Sequence, residues 1–350
     1  MQYSTFAAID IGSYDVILEI FEISKKQGIR SVDKICHRME LGKDTYTLGK
    51  IRPEMEEELC RVLADFVRIM EGYRVDDYRA TASSAISEAS NSLYVLGKIH
   101  QLTGFSVTVL SNSEQRFLSY KALAAMEDNF NKIIEKGTAI LDLDGGSFQI
   151  SLFDKDALVT TQNIRMGSLR IRERLAGIQS ETEHYEEMVE ELIWNEVSSF
   201  KKMYLKDRKI ENIMLIGDVF TDSVYQNIEE KTTKIISREN FNTWYEKIIR
   251  QSPMELAVKL GIPLENASLM YPSAVIYKCL IDMMGAEHIW IPGVHMTRGI
   301  AYEYAEQMKL LKGGHNFEND ILMAAKNYRK TVRGESPARP EPGDDGPCHV

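Results

Sequence analysis

The sequence predicts an α/β layer fold built as two related halves, and three observations predict it. Residues 138–153 run from the apolar strand Ala139 to Leu141, through Asp142 and the turn Asp144-Gly145-Gly146-Ser147, into an alternating strand at Ile150 and Leu152. The N-terminal stretch Phe6-Ala7-Ala8-Ile9-Asp10-Ile11-Gly12-Ser13, followed by the run Val16 to Ile23, repeats that order of strand, Asp, Gly, Ser and strand. Around both hairpins, strands alternate with amphipathic helices, which is the grammar of an α/β layer.

In chain order, Asp33 to Arg38 adds a strand to the first hairpin. Pro53 opens a helix whose apolar positions Leu59, Val62, Leu63, Phe66, Ile69 and Met70 recur at helical spacing and which stops near Gly72. A strand over Tyr78 to Thr81, a small-residue helix start over Ala82 to Ala89, and a helix over Leu93 to Leu102 follow. A strand from Ser106 to Leu110 and a helix from Phe117 to Met126 complete this half. In the second half, strands are expected at Leu158 to Ile164, Ile213 to Ile216 and Ile289 to Gly293. A long amphipathic helix is expected over 182–203, and another is capped by Ser252-Pro253-Met254-Glu255. Pro272 is expected to open a helix through Met284, and Gly299 one through Leu311. The expected division is 1–126, 127–312, and a remnant helix with a disordered tail over 313–350, where Pro, Gly, Asp and Glu dominate from Gly334.

Length of 350 residues with 44% apolar and 27% charged residues supports two domains with a sizeable core. A net charge of −10 argues against a dedicated nucleic-acid binder, and requires a cation or a local basic channel if the substrate is a polyanion. Cys36, Cys60, Cys279 and Cys348 lack metal-site spacing, no apolar run approaches a membrane span, and the first residues run straight into a strand. A reduced, cytoplasmic protein without a membrane segment is expected. The dispersed histidines and helically spaced methionines read as surface and core residues respectively.

Glycine turns expose backbone N–H groups and allow close approach, so they make anion-binding concavities; a carboxylate at the rim can hold a cation beside a phosphate. A plain hairpin uses the same residues, and the duplication is what favours a functional turn. Glu114, in the first turn of the helix after Ser106 to Leu110, has two readings. It can orient a water for in-line attack on phosphorus. It also fits a capping box with Ser111.

With these features in place, the chain resembles the Ppx/GppA family of exopolyphosphatases and guanosine pentaphosphate phosphohydrolases over residues 6 to 311. That family lies in the actin, Hsp70 and sugar kinase superfamily, so the resemblance implies two ribonuclease-H-like domains with a phosphate-binding cleft between them. Ala7 to Ser13 matches the first phosphate turn, Leu110-Ser111-Asn112-Ser113-Glu114 the segment with the catalytic glutamate, and Asp142 with Gly145-Gly146-Ser147 the second turn. Met166-Gly167-Ser168-Leu169-Arg170 is similar to the family's Gly-Ser-x-Arg stretch, and Pro272-Ser273-Ala274 with Gly299 to its C-terminal region. Several positions depart: Tyr14 replaces asparagine, Ser87 arginine, Asp144 glycine, Phe148 threonine and Gln149 glutamate. The nucleotide-side turn reads Gly217-Asp218-Val219-Phe220-Thr221, and the ending Met296-Thr297-Arg298-Gly299. Losing the arginine removes a charge-assisted phosphate contact worth ~1.5–3 kcal/mol, and Asp144 adds repulsion.

The resemblance implies a Mg²⁺-assisted phosphohydrolase acting on the terminal phosphoanhydride of polyphosphate or guanosine pentaphosphate, and makes a homodimer plausible. In that reading Glu114 is the base, and Asp142 with Asp144 holds the metal, with Asp10 through water and Gln149 as a neutral contact. Gly12, Ser13, Gly145, Gly146 and Ser147 bind phosphoryl oxygens. The alternative from another class is a catalytically weakened phosphate or nucleotide sensor. A kinase-like or actin-like nucleotide binder is disfavoured, because the turn at Gly217 lacks further glycines.

Overall fold

A computed structural model describes residues 3–126, 130–155, 157–176, 185–206, 208–227 and 235–311. The first half contains β1 (Ser4–Ile11), β2 (Asp15–Ser24), β3 (Gly28–Arg38), α1 (Leu41–Leu48), α2 (Pro53–Tyr73), β4 (Asp77–Ala82), α3 (Ser84–Ser87), α4 (Ser92–Thr103), β5 (Val107–Val109) and α5 (Asn112–Met126). After α6 (Phe130–Ile134) come β6 (Thr138–Leu143), β7 (Phe148–Asp154), β8 (Ala157–Ile164), α7 (Ser168–Leu175), α8 (Tyr185–Phe200) and β9 (Asn212–Ile216). The chain continues through α9 (Val219–Asn227), β10 (Ile235–Ser237), α10 (Arg238–Ile249), α11 (Pro253–Leu260), α12 (Leu264–Met284), β11 (His288–Trp290) and α13 (Met296–Gln307). The tail expected over 313–350, Cys348 and the first residues of the helix expected at 182 lie outside the described residues.

The two sheets share one topology. The first has the order β3-β2-β1-β4-β5, with β1 antiparallel to β2 and parallel to β4. The second has the order β10-β11-β9-β6-β7-β8, with β6 antiparallel to β7 and parallel to β9. Each contains the ribonuclease-H-like arrangement, an antiparallel meander extended by parallel strands, and the second sheet adds β10 antiparallel to β11 at its edge.

Strand alternation assigns the faces. Ala7, Ile9 and Ile11 of β1 join the core under α2 and α4, while Phe6 and Ala8 on the other face pack against Ile300, Ala301 and Tyr304 of α13. Asp10 follows on that second face, where the strand outruns its covering helix. In β6, Ala139, Leu141 and Leu143 point into the large second core; Ile140 lies with Tyr120, Leu123 and Phe130, and Asp142 follows it. The same step of two carries both aspartates from apolar cover to the open end of a sheet.

Two expectations are corrected. Pro272 lies inside α12, which starts at Leu264 after Pro263. Because α12 is buried nearly all round, its apolar residues form no stripe from which the true start could be read. The last helix begins at Met296 and ends at Gln307. The capping box at Ser252 and Glu255 is present as expected.

Candidate phosphate cleft

A cleft of about 430 Å³ lies between the two sheets' open ends. Its walls include Asp10, Gly12, Tyr14 and Asp15 from the first hairpin, Asp142, Asp144, Gly145, Ser147 and Gln149 from the second, and Gln115 and Ser119 from α5. The two glycine-serine turns therefore meet across one groove. Tyr14 lines it with its hydroxyl tied to Asn266 Oδ1 at 2.7 Å, whereas Phe148 points away into the second core.

The turns do more than face each other. Ser13 Oγ donates to Asp144 Oδ2 at 3.3 Å and lies 2.7 Å from the Tyr46 hydroxyl, which lies 2.8 Å from Ser84 Oγ. Gly145 N–H donates to Asp144 Oδ1 at 2.6 Å. Tyr46 stands so close over Gly146 that any side chain there would clash with its hydroxyl, and the Arg170 guanidinium stacks on the Tyr46 ring at 3.8 Å. Of the five expected phosphate-binding residues, Gly12, Gly145 and Ser147 line the cleft, while Ser13 and Gly146 are packed beneath it.

Glu114 is elsewhere. Its carboxylate accepts from Ser111 N–H at 2.8 Å while its own N–H donates to Ser111 Oγ at 3.3 Å, which is the capping box. Hydrogen bonding from the Ser111 hydroxyl and backbone N–H favours the charged form and holds the Glu114 pKa below the ordinary carboxylate value. Glu114 is exposed and borders a separate groove with Thr108, Phe117 and Glu303. The next residue is turned about 100° round the helix, and Gln115 with Ser119, one turn on, reaches the cleft. Sequence reasoning missed Gln115; the signal was the Ser-x-x-Glu spacing itself, which assigns Glu114 to the cap and its neighbour to the groove.

The cleft is strongly acidic. Six aspartates (Asp10, Asp15, Asp142, Asp144, Asp218 and Asp222) line it among the described residues, against Lys34, Arg38 and His295. Burial, followed by repulsion from Asp15 and Asp144, pushes Asp10 up to about 8. Burial also raises Asp142 to about 6, opposed by the hydrogen bond from Ser119 Oγ at 2.7 Å. It raises Asp144 to about 6 against the Gly145 N–H, and Asp218 to about 6. Three buried polar atoms on the walls, Ser83 Oγ, Gln149 Oε1 and Asp218 Oδ2, have no hydrogen-bond partner among the described residues.

No three His, Cys, Asp or Glu side chains among the described residues converge closely enough to cage a metal ion unaided. A hydrated divalent cation needs less, since Mg²⁺ keeps several waters and takes one or two carboxylates plus ligand oxygens. Asp142 and its neighbours fit that requirement.

Two ribonuclease-H-like domains closing on a groove between paired glycine turns define an actin-like fold. The chain belongs to the Ppx/GppA phosphatase family, whose model matches residues 19–308. It is 21% identical over 310 residues to a bifunctional 3-dehydroquinate synthase/phosphatase of Fusobacterium nucleatum, covering 81% of this chain and 44% of that protein. It is 25% identical over 144 residues to exopolyphosphatase 1 of Mycobacterium leprae, covering 41% of each. The chain thus spans less than half the length of these curated relatives. Among solved structures, an exopolyphosphatase from Cytophaga hutchinsonii superposes with a TM-score of 0.78 at 17% identity, over 88% of this chain and 100% of that one. The Ppx/GppA family member of Aquifex aeolicus gives 0.71 at 17% identity, over 88% and 99%. Among the described residues, no helix is long and apolar enough to cross a membrane.

Proposed function

We propose that this chain grips the terminal phosphates of inorganic polyphosphate, or of a nucleotide such as guanosine pentaphosphate, and hydrolyses them slowly or not at all. The observation that carries this reading is the start of α5: Glu114 is committed to the cap, and the residue on the cleft wall is Gln115, whose amide accepts no proton from water at neutral pH. Two of the orphaned neutral polar atoms, Ser83 Oγ and Gln149 Oε1, support a polar ligand, because buried groups of this kind ordinarily have partners.

An acidic groove repels a polyanion, so the ligand enters with a divalent cation, for which Mg²⁺ is the proposed ion. Asp142 would hold it, with Asp10 through water, and the ion would supply neutralisation of phosphoryl charge. A metal-assisted hydrolase is the second reading, favoured by Asp10, whose acidity displaced to about 8 suits proton transfer near neutral pH.

The test is phosphate release from long-chain polyphosphate with Mg²⁺. Wild type is expected near background while still being thermally stabilised by the ligand. Gln115→Glu places a carboxylate on the wall and is expected to raise release by roughly 10²-fold or more. Glu114→Gln keeps a capping box and is expected to change neither release nor stability. Robust wild-type turnover that Glu114→Gln abolishes would overturn the proposal.

A further inference from the structure

The hydrogen bonds around Asp144 have a direction that the hairpin itself does not require. Ser13 Oγ–H, from the first half, and Gly145 N–H, from the second, both point at one carboxylate, which lies between the two turns. A hydroxyl and a turn amide converging from opposite walls are the donors that a phosphoryl oxygen would take. The geometry points to Asp144 as a built-in occupant of the innermost phosphoryl subsite: a side-chain anion that sits where the ligand's terminal phosphate belongs and must swing out before it can enter.

Three further contacts fit this role. Ser13 is fully buried beneath the groove, so its hydroxyl serves only the side chains packed round it, Asp144 among them. Tyr46 and Ser84 bracket that hydroxyl at 2.7 and 3.4 Å and hold it in place. Arg170, the nearest guanidinium, is already engaged by Gly146 O at 2.8 Å and by Glu88 at 3.0 Å, and makes no hydrogen bond to Asp144 among the described residues. Asp144 is therefore held by the phosphate-type donors rather than by an ion pair. The same bond ties the two halves together at the floor of the cleft.

An internal competitor lowers apparent affinity by the fraction of molecules in which the subsite is free. If that fraction is on the order of one in ten, removing the side chain tightens binding about tenfold. The inference rests on the cleft being a phosphate site, and one titration separates the two ideas. Tripolyphosphate with Mg²⁺ is titrated calorimetrically into the full-length wild type, Asp144→Gly and Asp144→Asn. The expected result is weak wild-type binding, at least tenfold tighter binding by Asp144→Gly, and an intermediate value for Asp144→Asn, which removes the charge but leaves a side chain in place. Asp144→Asn also serves if the glycine variant fails to fold. Wild-type binding that both variants leave unchanged or weaken overturns the occupant role while leaving the phosphate cleft standing. Absence of binding by all three folded proteins overturns both.

Discussion

Burial and three neighbouring carboxylates, Asp15, Asp144 and Asp142, oppose charge on Asp10 and push it up to about 8. Asp142, Asp144 and Asp218 behave alike at about 6. In all four the folded-state value lies above the ordinary 3.8, so between those values the folded chain binds protons that the unfolded chain has released. Their contribution to stability is fully present below pH 3.8 and is lost as pH rises through about 6 and then about 8. The metal-free protein is therefore expected to show a falling Tm from mildly acid to mildly alkaline pH, by roughly 2–4 °C for each kcal/mol lost. Millimolar Mg²⁺ should flatten the decline, and Asp10→Asn should remove its upper part; a Tm that rises over that range counts against the buried-acid account. At this scale the sequence was partly legible. The aspartates and glycines that line the groove follow from strand order, yet the choice between Glu114 and Gln115 turns on a single helical step.

At the scale of elements, the crossing of α5 with α13 sets how α5 presents Gln115 and Ser119. Gly299 lies against the backbone of Leu118, and a Cβ there would fall on the Leu118 carbonyl. Gly299→Ala should cost ~1–3 kcal/mol as overpacking, read as a lower urea midpoint with an unchanged m-value. Elements with an exposed face, such as α2, were legible because their apolar residues form one stripe. Helix α12 was misread at Pro272 because a helix wrapped in core carries little periodic signal. The short strand β10 leaves only three residues of pattern to read.

Over the whole molecule, the halves are tied by side chains distant in sequence. Arg172 makes a two-pronged ion pair with Glu40 at 2.8 and 2.9 Å and also reaches Ser268 Oγ at 2.9 Å; Tyr14 meets Asn266. Arg172→Ala strands a largely buried Glu40 and should cost ~1–3 kcal/mol. Amide exchange is then expected to quicken in α1 and α7, which the pair joins, more than in α2. Duplication was legible because each half repeats its own local pattern. Which side chains bridge the halves was not, because pairs such as Glu40 with Arg172 and Tyr14 with Asn266 lie far apart in sequence and obey no period.

The return of α13 to the first sheet has a consequence for biosynthesis. Phe6, stacked on Tyr304 with ring centroids 4.1 Å apart, and Ala8 beside it leave the ribosome well ahead of their cover in α13, from which nearly all of both domains separates them. At about 5–20 residues per second that interval is roughly 15–60 s, during which one face of the nascent first sheet stays bare. Ribosome-bound chains that stop before Met296 should therefore recruit chaperones and clump, whereas those released after Gln307 should not.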